Sequence, residues 1–450
     1  MHRSKSSSRC AAGRSARSSR SRSSDTDTSH ALPASSIGSS SICRGRRKMT
    51  PMRSLQRAAV VLVLLSPWEP TPALAASSPG ARRRYESIFS LGDSFTDTGN
   101  NPAVFAWYSI PDPVTRPPYG STFFGRPTGR NCDGRLIIDF IAEALGLPYV
   151  PPYLGPPFGS PPASSGGSFR RGASLAVGGA TALDAAFFRS RGILPAPSKF
   201  PLNASLSVQL DWFESHLKPS LCRTTTQAEC EELLGRSLFF VGEFGVNDYL
   251  FALGKMSLQG IRSVVVPSIV QTIRQAIELI RSMQRLIITH GAKAVVVPGV
   301  IPLGCSPPVL FLFPEPDPAG YDAKTGCMPR HNELGRHHNA ALQESLKELR
   351  AKHHGVSIVY ADFFGPVMDM VESPRKLDTD DDGDAGFRED VLSVCCGGGH
   401  GKYNYNISVP CGDANASTCS RPSASLYWDG VHFTEAANRH ISRSWLSSIS

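Results

Sequence analysis

Ser87-Ile-Phe-Ser-Leu91 runs directly into Gly92-Asp-Ser-Phe-Thr-Asp-Thr-Gly-Asn100, so a short apolar run stops at a glycine and gives way to turn residues. Five residues are too few for a helix, and a run this apolar reads as a strand buried on both faces, the kind found in parallel sheets. Gly92 and Gly99 flank the serine and allow the sharp turn that exposes a hydroxyl, which a nucleophile needs. Gly-Asp-Ser alone is a weak signal, because these three residues usually just make a turn. The G-x-S-x-G elbow is absent, so a serine hydrolase built on this chain is of another type.

The same pattern recurs along the chain. Strands are expected around Leu175 and at Ser237 to Val241, Ala294 to Val297 and Val356 to Tyr360, each bounded by Gly, Pro or Ser. Between them, Leu136 to Leu145, Leu206 to Leu217, Val264 to Ile288 and Asn332 to Ala351 carry apolar residues at three- and four-residue spacing, as crossover helices do. No internal repeat or linker divides the alternation. It predicts an α/β protein with one domain, a central parallel sheet and helices on both faces. Ligands of such sheets sit beyond the carboxyl ends of the strands, so the chemistry is sought just after each strand.

Three further stretches fall at such positions. Gly242-Glu-Phe-Gly-Val-Asn247-Asp-Tyr249 follows the strand at Ser237 and offers a carboxamide able to donate to a developing oxyanion. Ala176-Val-Gly178-Gly179-Ala-Thr181 is a small-residue turn whose backbone N–H can face the same spot, or which simply packs closely. Trp428-Asp429-Gly-Val-His432-Phe-Thr434-Glu-Ala-Ala437 sets an acid and an imidazole three residues apart, just before a helix that Thr434 can cap.

With these blocks in order, the chain resembles the GDSL esterase/lipases of the SGNH hydrolase superfamily, and specifically their secreted plant branch. The likeness covers roughly residues 85 to 448 and extends to Asp133-Gly-Arg-Leu-Ile-Ile-Asp139, Ile301-Pro-Leu-Gly-Cys305, Cys395-Cys-Gly-Gly-Gly399 and Tyr403-Asn-Tyr405. The resemblance implies a three-layer α/β/α, flavodoxin-like fold. It also implies Ser94 as nucleophile, His432 as base and Asp429 as its orienting partner. The oxyanion donors it implies are the N–H of Ser94, the N–H of Gly179 and the Asn247 amide, with Gly178 adjoining the second. The reaction would be acyl transfer through an acyl-enzyme that water resolves, with no metal or organic cofactor. The substrate would be a small-molecule, lipid or polysaccharide ester.

The chain has 450 residues, 41% apolar and 19% charged, enough to bury a full core. Its net charge of +9 is confined to one end: residues 1 to 75 hold 13 Lys+Arg against 3 Asp+Glu, and the rest hold 34 against 35. The folded part is near neutral, which removes the warrant for nucleic-acid binding. Residues 1 to 51 read as a disordered Ser/Arg-rich extension, or as sequence ahead of the true start at Met49 or Met52. Residues 52 to 75 read as a signal peptide: a basic segment, the eight-residue apolar run Ala58 to Leu65, and Ala73-Leu-Ala75. Residues 76 to 450 would then be the secreted hydrolase domain. An organelle transit peptide is the competing reading of the leader. No segment is long and apolar enough to span a membrane as a helix.

Nine cysteines follow the leader, a usage that suits an oxidising compartment. Cys222 groups with Cys230, Cys305 with Cys327, and Cys395, Cys396, Cys411 and Cys419 form a third group, allowing four bridges and leaving Cys132 as a quiet buried thiol. Sequons stand at Asn203, Asn406 and Asn415.

Other features read as structural. Asp378 to Glu389 matches a calcium-loop pattern letter for letter, but Pro374 interrupts the incoming helix and no partner loop exists, so a solvated acidic insertion is expected. The His337-His338 and His353-His354 pairs lack zinc-site spacing and are expected on a solvated face. Leu310 to Phe313 and Pro148 to Pro162 either shape a substrate pocket or cover the sheet. A relative lacking a triad residue would be read as a catalytically silent binding glycoprotein; here all three are present, and acyl transfer to alcohols is an alternative use of the same triad.

Overall fold

The computed structural model describes residues 84–155, 169–194, 203–278, 292–374, 386–388, 390–399 and 401–449. Five strands, β1 (Ser87–Leu91), β2 (Gly172–Ser174), β3 (Ser237–Val241), β4 (Ala294–Pro298) and β5 (Ser357–Ala361), form one sheet in the order β2-β1-β3-β4-β5. Every pairing is parallel. β1 to β4 are buried throughout, as their runs of Val, Phe, Leu and Ile require. Helices Leu206–Trp212, Val266–Ile277 and Pro329–Lys352 pack against one another in one layer, and Ile137–Ala144, Phe364–Glu372 and Glu435–Ile449 in the other. This is the three-layer, flavodoxin-like α/β/α arrangement expected from the sequence.

The strand order reverses between β1 and β3, and at such a switch point two chain segments leave the sheet in opposite directions and open a crevice. The register sharpens this. Ser87 pairs with Ser237 and Leu91 with Val241, so Gly92 and Gly242 emerge level, joined by a 2.9 Å bond from Gly242 N–H to the Leu91 carbonyl. Strand β2 is centred earlier than the expected Leu175, yet its neighbours keep alongside β1: Leu175 N–H donates to Ser90 O at 2.7 Å, and Val177 N–H to Gly92 O at 3.2 Å. Three segments that carry chemistry are thereby delivered to one edge of the crevice.

Two helices depart from the periodicity reading, and for the same reason. The segment Leu206 to Leu217 is α-helical to Trp212 and then opens into a π turn over Phe213–Leu217 before continuing as Lys218–Cys222. Likewise a π turn over Ile261–Val265 precedes the helix Val266–Ile277. In each case a proline, Pro219 or Pro267, stands at the second position of the helix that follows, and without an N–H it cannot carry the ordinary ladder across the junction. The expected extension of the second helix to Ile288 falls on residues 279–288, outside the described residues.

The expectation that the His337-His338 pair is solvated is corrected for His338, which is fully buried and shares a 2.6 Å hydrogen bond between Nδ1 and the Tyr249 hydroxyl. Burial pushes its pKa down to about 3, so it is a neutral core imidazole. Its neighbour His337 is exposed. Cys132 is a buried free thiol, as expected, and the bridges are Cys222–Cys230, Cys305–Cys327, Cys395–Cys419 and Cys396–Cys411. The acidic stretch from Asp378 to Asp384 and Glu389 lie outside the described residues. Among the described residues no helix is long and apolar enough to cross a membrane.

Candidate active site

Ser94 sits at the turn after β1, and that turn is shaped by close approach. A Cβ on Gly92 would lie 2.4 Å from Thr96 Oγ1 and 2.7 Å from the Gly242 carbonyl, so only glycine lets β1 and β3 splay here. Gln209, reaching up from its helix, closes both polar groups of Gly92: its Oε1 accepts from Gly92 N–H and its Nε2 donates to Gly92 O, each at 2.8 Å. Buried Asp97 then gathers four backbone donors: Gly99, Asn100, Asn101 and Gly178, at 2.6 to 3.0 Å. Burial raises its pKa to about 6 against the pull of these bonds. The loop that carries the serine is thus tied to the loop that carries Gly179.

The far side of the site comes from the turn before the last helix. His432 Nε2 lies 2.8 Å from Ser94 Oγ, and His432 Nδ1 lies 2.6 Å from Asp429 Oδ1. Both the imidazole and the carboxylate are largely shielded from solvent. The other carboxylate oxygen, Oδ2, accepts from the Tyr119 hydroxyl at 2.5 Å. Burial, with the Asp429 charge beside it, raises Tyr119 well above its ordinary pKa and keeps it a donor. For His432 burial acts downward, but the charge and hydrogen bond of Asp429, with help from Asp93, lift it above 6.5. Thr434 caps the last helix as anticipated, its Oγ1 accepting from Ala437 N–H at 3.3 Å.

The candidate oxyanion donors come from the segments after β1, β2 and β3. Gly178 N–H is committed to Asp97, whereas the N–H groups of Gly179 and Ser94 meet no acceptor among the described residues. Gly179 holds φ +79, and a Cβ there would find nothing within 4 Å, so its left-handed turn faces open space. Buried Asp248 anchors the same loop through the N–H of Ala182 and Leu183 at 3.0 and 3.1 Å. Asn247 follows β3, and its Nδ2 donates to Asp93 Oδ2 at 2.9 Å and to Ala180 O at 3.0 Å. All of the residues singled out from the sequence for catalysis therefore meet in one constellation. Such a set can transfer a proton from a hydroxyl to an imidazole while holding negative charge on a neighbouring oxygen.

A cavity of about 450 Å³ opens beside His432 and Asp429, lined by Phe105, Asp112, Tyr119, Phe251, Leu312 and Tyr405 among others. Of the segments suspected of shaping a pocket, Leu310 to Phe313 contributes Leu312, while residues 156–162 of the Pro-rich stretch lie outside the described residues. The sequon residues Asn203 and Asn415 are exposed, and Asn406 lies on the cavity wall. No group of three or more metal-binding side chains occurs among the described residues.

Sequence reasoning missed Tyr119, Gln209 and the roles of Asp93 and Asp97. Gln209 was detectable: it lies three residues after Leu206 and one before Leu210, so a polar side chain sits on the apolar stripe of its helix. Tyr119 follows Pro117-Pro118 in irregular chain, where no periodicity points to it.

Comparison with known proteins gives a consistent likeness. The family model for GDSL-like lipase/acylhydrolases matches residues 88–445. A GDSL esterase/lipase of Arabidopsis thaliana is 42% identical over 365 residues, covering 81% of this chain and 91% of the relative. A sinapine esterase of Brassica napus is 42% identical over 375 residues, covering 83% and 88%.

Proposed function

The chain belongs to the GDSL-like lipase/acylhydrolase family and is an ester hydrolase, and from that premise we propose that it is a secreted serine esterase acting through Ser94, His432 and Asp429. The observation that carries this reading is the continuous chain from Ser94 Oγ through His432 to Asp429 at 2.8 and 2.6 Å, beside two backbone N–H groups, of Ser94 and Gly179, that have no acceptor among the described residues. His432 takes the Ser94 proton as Oγ attacks the ester carbonyl, and Asp429 holds the imidazole in the required tautomer and stabilises its charged form. The tetrahedral oxygen is met by Ser94 N–H and Gly179 N–H, and by the Asn247 amide once one of its hydrogens turns from the Ala180 carbonyl. His432 then gives its proton to the departing alkoxide, an acyl-Ser94 ester remains, and water activated by the same imidazole releases the acid.

Export in the oxidising pathway is supported by the four bridges, with residues 52 to 75 removed as a signal peptide, residues 1 to 51 lying ahead of it, and the mature domain at 76 to 450. Sequencing the amino terminus of the secreted product tests this: a start near Ala76 supports it, and a start elsewhere in a plastid or mitochondrial fraction overturns it. The catalytic reading is tested with p-nitrophenyl acetate, butyrate and palmitate. Ser94→Ala is expected to lower kcat by about 10⁴-fold or more on whichever ester is turned over. A folded Ser94→Ala protein with unchanged turnover, or a wild type inert to all three esters and to a fluorophosphonate, would overturn it in favour of a binding role.

A further inference from the structure

Asp93, the residue before the serine, is buried and has no part in the acyl-transfer steps above, yet it reaches the oxyanion carboxamide. Its Oδ1 accepts from Phe95 N–H at 3.0 Å, fixing the side chain, and its Oδ2 takes Asn247 Nδ2 at 2.9 Å. The second hydrogen of that amide goes to the Ala180 carbonyl at 3.0 Å. A carboxamide has a donor end and an acceptor end of nearly the same shape, and which end faces the site depends on its neighbours. Here both neighbours are acceptors, so only the NH2 end satisfies them. If the amide turned over, its carbonyl oxygen would face a carboxylate, a carbonyl and any developing oxyanion.

Resting on the esterase reading, we propose that Asp93 is a positioning residue that locks the Asn247 carboxamide with its N–H toward the oxyanion, as Asp429 orients His432 on the other side of Ser94. During attack, the hydrogen now on the neutral Ala180 carbonyl is the one that turns to the oxyanion, because the carboxylate is the stronger acceptor and keeps the other. The lock works only while Asp93 is ionised: protonated, it offers a donor as well, and the flipped amide becomes tolerable. The groups facing Asp93 are Glu243, Asp248 and His432. Glu243 is fully buried, with Oε1 accepting from Val246 N–H at 3.1 Å and no partner for Oε2. Burial and the neighbouring Asp93 charge raise Glu243 well above the usual range, and since Asp93 accepts from two N–H groups and Glu243 from one, the site favours the charge on Asp93. Burial lifts Asp93 to about 7 against the pull of the Phe95 N–H and the His432 charge.

The test is kinetic and uses the full secreted domain. Asp93→Asn is expected to lower kcat by about 10- to 100-fold with KM changed less than about threefold, because the lost contact matters chiefly in the transition state. Asn247→Ala is expected to lose about 10²- to 10³-fold, and adding Asp93→Asn to it should cost little more, since the two act as one unit. In the wild type, kcat/KM should fall with decreasing pH through a two-proton limb, from His432 and Asp93, and each single variant should show a one-proton limb. A purely structural role for Asp93 would change amounts of folded protein without changing that limb. Additive losses, an Asp93→Asn enzyme with wild-type kcat, or a two-proton limb persisting in Asn247→Ala would each overturn the proposal. The Asn247→Ala profile decides it even if Asp93→Asn does not fold. Fluorophosphonate labelling that depends on Ser94 separates this outcome from failure of the esterase reading.

Discussion

The two sides of the catalytic centre are built by different means. Ser94 and Asn247 leave the ends of adjoining buried strands, and the loops around them are held by backbone N–H groups that donate to Gln209, Asp97 and Asp248. Asp429 and His432 stand in a region with little regular structure: among the described residues it holds the two-residue ladder Cys396–Gly397 with Ser417–Thr418 and isolated bridges at Tyr427. That region is fastened covalently. Cys395–Cys419 and Cys396–Cys411 clamp the segment whose backbone N–H groups, from Cys395 and Cys396, bond the carbonyls of Tyr427 and Trp428 at 2.9 and 2.6 Å. A sheet end supplies rigidity through its ladder and needs only local polar braces. A loop-borne dyad has little ladder and depends on cross-links.

Removing the cross-links is the most severe challenge to that contrast. Replacing both Cys396 and Cys411 by Ser opens a loop with a separation of 15 residues and is expected to cost about 3 kcal/mol of stability. It should also lower kcat by about 10-fold or more, because displacing one member of an assembled site is costly far beyond its own contacts. The same replacement at Cys222 and Cys230, whose helices lead into the amino end of β3, should lower the melting temperature and leave kcat within about twofold. Thermal unfolding beside ester hydrolysis checks both. Equal effects on kcat would break the comparison.

On the serine side the matching challenge is Gln209→Ala. It strips the acceptor from Gly92 N–H, which is then buried without a partner, while Gly92 O keeps its bond from Val177 N–H. The expected cost is about 2 kcal/mol, with a few-fold fall in kcat as the Ser94 turn loosens. Dithiothreitol lowers overall stability on both sides, because Cys222–Cys230 is also reduced, so the readout that separates the two kinds of support is kcat under native conditions. Reduction should lower it through the Asp429–His432 region, and a Cys222→Ser/Cys230→Ser protein should show the same fall as wild type.

This difference also explains what the sequence made legible. Strands buried on both faces must be apolar and must end at turn residues, so β1, β3 and β4 could be read almost to the residue, and the blocks after them were found by looking where strands end. The pairing Cys395–Cys419 and Cys396–Cys411 could not be chosen over the alternatives, because four cysteines within one loop region allow several connectivities. Contacts between distant segments were also hidden, since Tyr119 reaches Asp429 across 310 residues. The misreading of His338 was avoidable. It stands four residues after Leu334 and four before Leu342, both buried, and so lies on the inward stripe of its helix. The charged neighbours Arg336 and Lys347, on the outward face, carried the wrong inference to it.

The smallest structural change, a single hydroxyl, is made at the hydrogen bond from Tyr119 to Asp429 on the dyad side. Tyr119→Phe keeps the ring, which packs edge-on against Trp428 at 5.9 Å, and removes only the donor to Asp429 Oδ2. Two consequences follow from charge. Without that donor the carboxylate is freer to rotate and less neutralised, so kcat should fall by about 3- to 10-fold as the imidazole is held less well. A less neutralised Asp429 also favours the protonated imidazole, raising His432 further above 6.5. The enzyme needs neutral His432 as base, so the acid limb of kcat/KM should move to higher pH in Tyr119→Phe, and the variant should lose most relative to wild type below neutrality. A limb that stays in place while kcat falls would mean that Tyr119 only positions Asp429. A limb that moves to lower pH would overturn the reading, because it would mean that losing the hydroxyl weakens rather than strengthens the pull of Asp429 on the imidazolium. Because the serine side is untouched by this change, the steepness of the limb contributed by Asp93 should be the same in both proteins, which makes Tyr119→Phe the finest separation of the two sides.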